Sequence, residues 1–310
     1  MEALVEQLAE YFIMMAMGAV LVKAGIVRSE ESGTLSAVAV YLVLPCVIIE
    51  AFQIDCTPEK IRGLLLAFAA AIGVHAFLAL FIHVCEKPFH LNAIEKSSIM
   101  YTNSGNMIIP LITAMMGNDW VLYSSAFITV QLVLIWTHCR MMLCEDERFD
   151  IKKILLNINV IAIIVGILLF AFKIHIPGVV ANVLSSVGAM LAPMGMLILG
   201  MLFVSLDFRK IFADKRVYVI TAFRMVVTPV IILALLKVSG ICDLVPDGGK
   251  ILLITYLASI TPVSTSITQL AQVYGKDVEY ASALNMMTTA VSIVTIPVLT
   301  FLYEVVFGLC

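Results

Sequence analysis

The sequence predicts an all-α polytopic membrane protein of ten transmembrane helices, arranged as two inverted five-helix repeats with interrupted fourth and ninth helices. Three observations carry that prediction. The composition is too apolar for a soluble chain, apolar stretches of bilayer-spanning length recur at regular intervals, and landmarks of the first half return in order in the second. Of 310 residues, 62% are hydrophobic and only 13% charged, and mean hydropathy is +1.06. A soluble domain carries about a quarter charged residues. A single soluble core stops growing near ~250–300 residues, so it cannot absorb this excess. The net charge of -3 offers no basic footprint for a phosphate backbone, which excludes nucleic acid as a partner. The seven Cys are scattered without CxxC or Cys/His spacing, so neither a disulfide framework nor a metal site is expected, and no cofactor.

A hydrocarbon core of ~30 Å takes about 20 helical residues. Stretches of that kind lie at 8–27, 34–54, 62–85, 96–117, 120–143, 153–173, 179–205, 214–238, 249–275 and 279–307. Continuous runs such as Val160–Ala171 lack the alternation of a membrane β-barrel. The first ten residues carry Glu2, Glu6 and Glu10 and no basic residue, so no cleavable signal is expected there. Lys and Arg fix direction. Odd-numbered loops and their flanks hold Lys23, Arg28, Lys87, Lys96, Arg140, Arg148, Lys152, Lys153, Arg209, Lys210, Lys215, Arg216 and Lys276, thirteen in all. Even-numbered loops hold five: Lys60, Arg62, Lys173, Lys237 and Lys250. This asymmetry predicts odd loops in the cytoplasm, both termini outside and a location in the cell membrane. The polar stretch Cys144–Lys153 divides the chain into a first repeat (1–143), a connector (144–152) and a second repeat (153–310).

Gly117-Asn118-Asp119 with Ser124 follows span 4, and Gly275-Lys276-Asp277 with Ser282 follows span 9. Pro45 of span 2 answers Pro193 of span 7, and Pro110 of span 4 answers Pro262 of span 9. Five spans per half is odd, so the second half enters the membrane from the opposite side. Inverted repeats with a midplane site mark secondary transporters.

Span 4 holds Asn103, Ser104, Gly105, Asn106 and Pro110 within a few residues, and span 9 holds Thr261, Pro262, Ser264, Thr265 and Ser266. Proline removes a backbone donor and crowds the preceding turn. Non-helical backbone at membrane depth persists only inside protein or beside a wet cavity. Two such segments at matching positions of inverted halves predict broken helices that cross. Their half-helix N-termini would attract an anion. Either break alone would read rather as a proline kink with its hydroxyls bonded back to their own helix.

These same segments resemble the auxin efflux carrier family, which includes plant PIN-FORMED carriers and bacterial permease-like members. Asn103, Gly105, Pro110, Leu111 and Gly117 match its span 4 pattern, while Ile108 and Asn106 depart from it. Pro262, Leu270, Ala271, Tyr274, Gly275, Asp277, Ala281, Ser282, Thr295 and Pro297 match its span 9–10 pattern. The resemblance implies a ten-helix fold shared with bile-acid sodium symporters. Spans 1, 2, 6 and 7 would form a scaffold, often homodimeric, and spans 3–5 and 8–10 a mobile transport domain. The crossing would hold a small organic anion carried by an elevator motion.

Arg224 lies mid-span 8, where a charge costs at least ~2.5–3.5 kcal/mol on insertion scales. It reads either as a counter-charge for a substrate carboxylate or as a partner of crossover carbonyls. Gln131 in span 5 and Asn285 in span 10 read as pocket-lining or as interhelical hydrogen-bonders. Glu50 reads as interfacial or proton-coupling, and His75 as a packing residue or a proton shuttle. The 17 Met read as adaptable packing. An intramembrane protease is the competing class, but every Asp lies at or near a loop, HExxH is absent, and Thr102-Asn103-Ser104-Gly105 lacks the first Gly of a serine-type motif. The expected function is a secondary carrier of a mono- or dicarboxylate or an auxin-like aromatic acid. A sodium-coupled organic-anion symporter or a transport-dead receptor of the same fold are the alternatives.

Overall fold

The structure, a computed structural model, describes residues 2–53, 57–143, 156, 158–204 and 214–308. The connector at 144–152 lies outside the described residues. Helices account for nearly all of what is described, and no strand occurs among these residues.

Helix α1 covers Glu2–Lys23. Helices α2 (Ser32–Val38) and α3 (Leu44–Ala51) run into each other through a π turn, Ala39–Val43. Pro45 accounts for that turn: with no N–H to give, it frees a carbonyl one turn back, and the ladder widens. Helix α4 (Pro58–Phe89) starts on Thr57, whose hydroxyl accepts from Lys60 N at 3.3 Å. It stops at His90 in the left-handed region, φ 49°. Helix α5 (Ala93–Met100) opens on a reciprocal cap in which Asn92 Oδ1 accepts from Glu95 N and Glu95 Oε2 accepts from Asn92 N. After a gap comes α6 (Ser104–Met116), closed by Gly117 at φ 93°. Helices α7 (Val121–Leu134) and α8 (Arg140–Leu143) again join through a π turn, Ile135–Cys139.

The second half contains α9 (Ile158–Ala171), α10 (Gly178–Gly188) and α11 (Leu191–Phe203), the last pair interrupted just ahead of Pro193. Helices α12 (Lys215–Ala222) and α13 (Thr228–Ser239) flank the π turn Phe223–Val227, one step before Pro229. Helix α14 (Gly248–Ile260) is separated by a gap from α15 (Thr265–Val273), and α16 (Val278–Phe307) completes the chain. The returning Gly-x-Asp motif has a local reason at its second copy: Gly275 takes φ 61°, and Asp277 caps α16 by accepting from Tyr280 N at 2.9 Å.

Six helical segments among the described residues are long and apolar enough to cross a bilayer. The half-helices α5, α6, α14 and α15 have 8, 13, 13 and 9 residues. At 1.5 Å per residue none of them spans ~30 Å alone.

Two apolar clusters hold the bundle. The larger joins α4–α8 and α12–α16 with Tyr11 and Met15 of α1, and the smaller joins α2, α3, α9 and α11 around Val43, Phe52 and Ile163. Helix α1 lies directly on α11 because Gly18 faces the Leu197 backbone and Gly200 faces the Met15 backbone. On the other side of the smaller cluster α9 packs on α3, with Gly166 against the Phe52 ring.

Candidate functional site

The two gaps lie against each other. Asn103 N donates to Pro262 O at 2.8 Å, and Ser264 N donates to Tyr101 O at 3.1 Å. Thr102 and Val263 thereby form an isolated antiparallel pair. In such a pair the two central residues turn their own N–H and C=O outward, and buried orphans of this kind cost free energy unless they are met.

Side chains of the next helix meet them on each side. Gln131 of α7 takes all of Thr102: Oε1 accepts from Thr102 N at 2.9 Å and from its hydroxyl at 2.8 Å, and Nε2 donates to Thr102 O at 2.8 Å. The same amide donates to Ser104 Oγ at 3.0 Å. On α16, Asn285 Nδ2 donates to Val263 O at 2.9 Å while Thr288 Oγ1 accepts from Val263 N at 3.1 Å. Pro262 fits its place because the pairing uses only its carbonyl.

Arg224, fully buried in the π turn, reaches the carboxyl ends of both incoming half-helices. Its Nη2 donates to Ser259 O at 2.6 Å and Thr261 O at 2.7 Å, and Nη1 donates to Ile99 O at 3.4 Å. Carbonyls at helix C-termini have no intrahelical partner. Arg224 lies within the π turn itself, and π turns recur at functional sites.

The sequence-derived site residues therefore divide. Asn103, Ser104, Thr261, Pro262, Ser264, Gln131, Asn285 and Arg224 are buried at the crossing. Gly105 and Ser266 lie half-buried in the first turns of α6 and α15. The backbone at Asn106 and Pro110 is helical, so the break falls at Tyr101–Asn103, upstream of Pro110. His75 sits behind the crossing, with Nδ1 2.8 Å from Ala71 O and its ring 4.8 Å from that of Phe127. Glu50 lies against Gly188, away from the crossing.

Thr265 and Asn285 also line a cavity of about 610 Å³. One wall is Thr265, Thr268 and Gln269 of α15 with Ser282, Asn285 and Met286 of α16; the other is Val22–Ser36 and the end of α11 at Ile198–Phe203. Arg28 stands at this cavity, 3.4 Å from Glu31. Thr288 carried no signal in the sequence, since an isolated hydroxyl on an apolar helix looks like any other, and Arg28 was legible only as a loop charge.

A second polar constellation ties helix starts together. Glu95 is fully buried and takes two bonds of 2.6 Å from Arg216 (Nε and Nη2) and one of 2.8 Å from the Tyr280 hydroxyl. Burial pushes the Glu95 carboxyl up. The hydrogen bonds from Arg216, the Asn92 N–H and Tyr280, with the Arg216 charge, outweigh burial and hold the carboxyl below its ordinary 4.5. A lowered folded value stabilises the protein fully above 4.5, and that contribution drains away as pH falls below 4.5 toward the folded value. Arg216 is half exposed, which discounts its charge, so Glu95→Gln should cost about 1–2 kcal/mol at neutral pH. Thermal midpoints measured from neutral to about pH 4 should converge for the two proteins on acidification; a constant offset would contradict this.

Buried polar crossing, polar cavity and bilayer-length apolar helices together define a multi-pass membrane protein of the transporter class. The chain matches the family model described as membrane transport protein, Mem_trans, over residues 3–152 and 145–300. It belongs to that family, the auxin efflux carrier/membrane transport family. None of the curated proteins matches the chain.

Proposed function

We propose that the protein is a secondary carrier for a small organic anion, bound at the crossing and moved by an elevator-type displacement. The observation that carries this reading is the mutual pairing of the two helix gaps beside a polar cavity. It leaves the amino ends of α6 and α15 one or two residues from the ladder. Those ends are the positive poles of their helices and suit a carboxylate. Gly105, Asn106, Thr265 and Ser266 in their first turns, with Asn103 and Ser264 at the ladder, would supply its hydrogen bonds.

The same reading takes the chain as ten crossings in two inverted repeats. The contacts support it by their symmetry. α1 lies on α11 as α9 lies on α3, and α7 serves the first gap as α16 serves the second. In this reading α1–α3 and α9–α11 form the scaffold, through which two copies would pair. The cavity lies between scaffold and crossing, beside the loops holding Arg28 and Lys276. The positive-inside asymmetry places those loops in the cytoplasm, so this would be an inward-facing state.

Binding of organic acids to the purified protein in lipid nanodiscs, followed by proteoliposome uptake, tests the proposal. Asn103→Leu with Pro262→Ala should insert and fold yet lose binding at least tenfold, about 1.4 kcal/mol. Unchanged affinity in a folded double variant would overturn the crossing as the site.

A further inference from the structure

Four helix ends meet at the ladder. The two amino ends face the proposed anion, and the two carboxyl ends, of α5 and α14, face Arg224. Each carboxyl end is equivalent to about −0.5 charge, so together they come to about −1. Three carbonyl oxygens from these ends, those of Ile99, Ser259 and Thr261, converge on one fully buried guanidinium. Among the described residues no carboxylate pairs with Arg224, so its counter-charge is the backbone itself. Converging carbonyl oxygens are also the donor set that takes up free alkali cations in place of their water.

We infer that Arg224 is a tethered counter-cation: it fills a carbonyl site that would otherwise recruit Na+ or K+, and so makes the crossing independent of both. The inference rests on the crossing being the anion site, although its test does not. Arg224 is a positioning residue in this account, acting through the carbonyls. A guanidinium is suited to this because it stays protonated when buried and spreads donors over several acceptors. The electrostatic balance also assigns a ligand class. With the carboxyl ends neutralised internally, the two amino ends offer about +1, which one carboxylate satisfies without an accompanying metal ion.

The full-length protein in nanodiscs is titrated with sodium, potassium or choline chloride at matched ionic strength, and the thermal midpoint is read. The wild type should give superimposable curves in all three salts. Arg224→Gln keeps an amide donor but removes the charge; its midpoint should be lower in choline and rise saturably with Na+, K+ or methylguanidinium. Arg224→Lys should restore the flat response. A purely structural role would lower the midpoint without creating a cation response. A saturable Na+ or K+ rise in the wild type overturns the inference, as does a folded Arg224→Gln protein insensitive to every cation. Should Arg224→Gln fail to fold in choline, it is purified in sodium, potassium or methylguanidinium chloride instead: recovery of folded protein there supports the inference, and failure in every salt overturns it. Loss of anion binding in the Asn103/Pro262 double variant is a separate readout, so the two ideas fail separately.

Discussion

Replacing Gln131 with Leu should abolish organic-anion binding and lower stability by at least about 2 kcal/mol. The size follows from what the amide does. It is the partner of both backbone groups of Thr102, and it also holds the Ser104 hydroxyl in the first turn of α6. Hydrogen bonds between membrane helices average only ~0.6 kcal/mol by double-mutant cycles, because the separated helices find other partners. Thr102 has no such escape, since its neighbours Tyr101 and Asn103 are committed to Ser264 and Pro262. Each stranded buried group then costs about 1–3 kcal/mol. Unfolding in nanodiscs measures the stability term, and ligand-induced shifts measure the binding term. A Gln131→Leu protein with wild-type midpoint and affinity would show that Thr102 finds other partners.

Gly200→Val should be the most damaging substitution of a single small residue. A Cβ there runs into the main-chain carbonyl of Met15, and Gly18 makes the reciprocal approach to Leu197. A side chain in the way can change rotamer; a helix backbone cannot, so α1 must lift off α11. Overpacking costs about 1–3 kcal/mol where neighbours yield. Here they do not, and the helix-propensity gain of leaving glycine, under about 1 kcal/mol, does not offset it. Gly73→Ala on α4 is the control, because nothing lies within 4 Å of the added methyl. Folded yield and thermal midpoint should collapse for Gly200→Val and hold or rise for Gly73→Ala.

Much of the fold was legible because membrane helices announce themselves by apolar length. The predicted stretch 62–85 lies within Pro58–Phe89, and 279–307 meets Val278–Phe307. The gap in the ninth stretch was legible from Pro262. That in the fourth was legible only as the stretch from Tyr101 to Pro110, and the structure narrows it to Tyr101–Asn103, with α6 continuous through Pro110. The position is decided by which backbone groups find partners, Gln131 for Thr102 and Pro262 for Asn103, and a main-chain partner leaves no residue pattern. Arg224 was visible as a charge in oil, yet its partners are carbonyls, so the sequence left its role open. The Glu95–Arg216–Tyr280 cluster joins positions far apart in the chain and showed no local spacing.

The ladder between Tyr101–Asn103 and Pro262–Ser264 draws one extended segment from each side of the connector, and the Arg224–Ile99 and Arg216–Glu95 bonds likewise join the two sides. Neither half of the polypeptide is a finished body: each leaves polar main chain bare until its counterpart arrives. The crossing can therefore close only once residues 262–264 exist, since Asn103 N and Tyr101 O find their main-chain partners there.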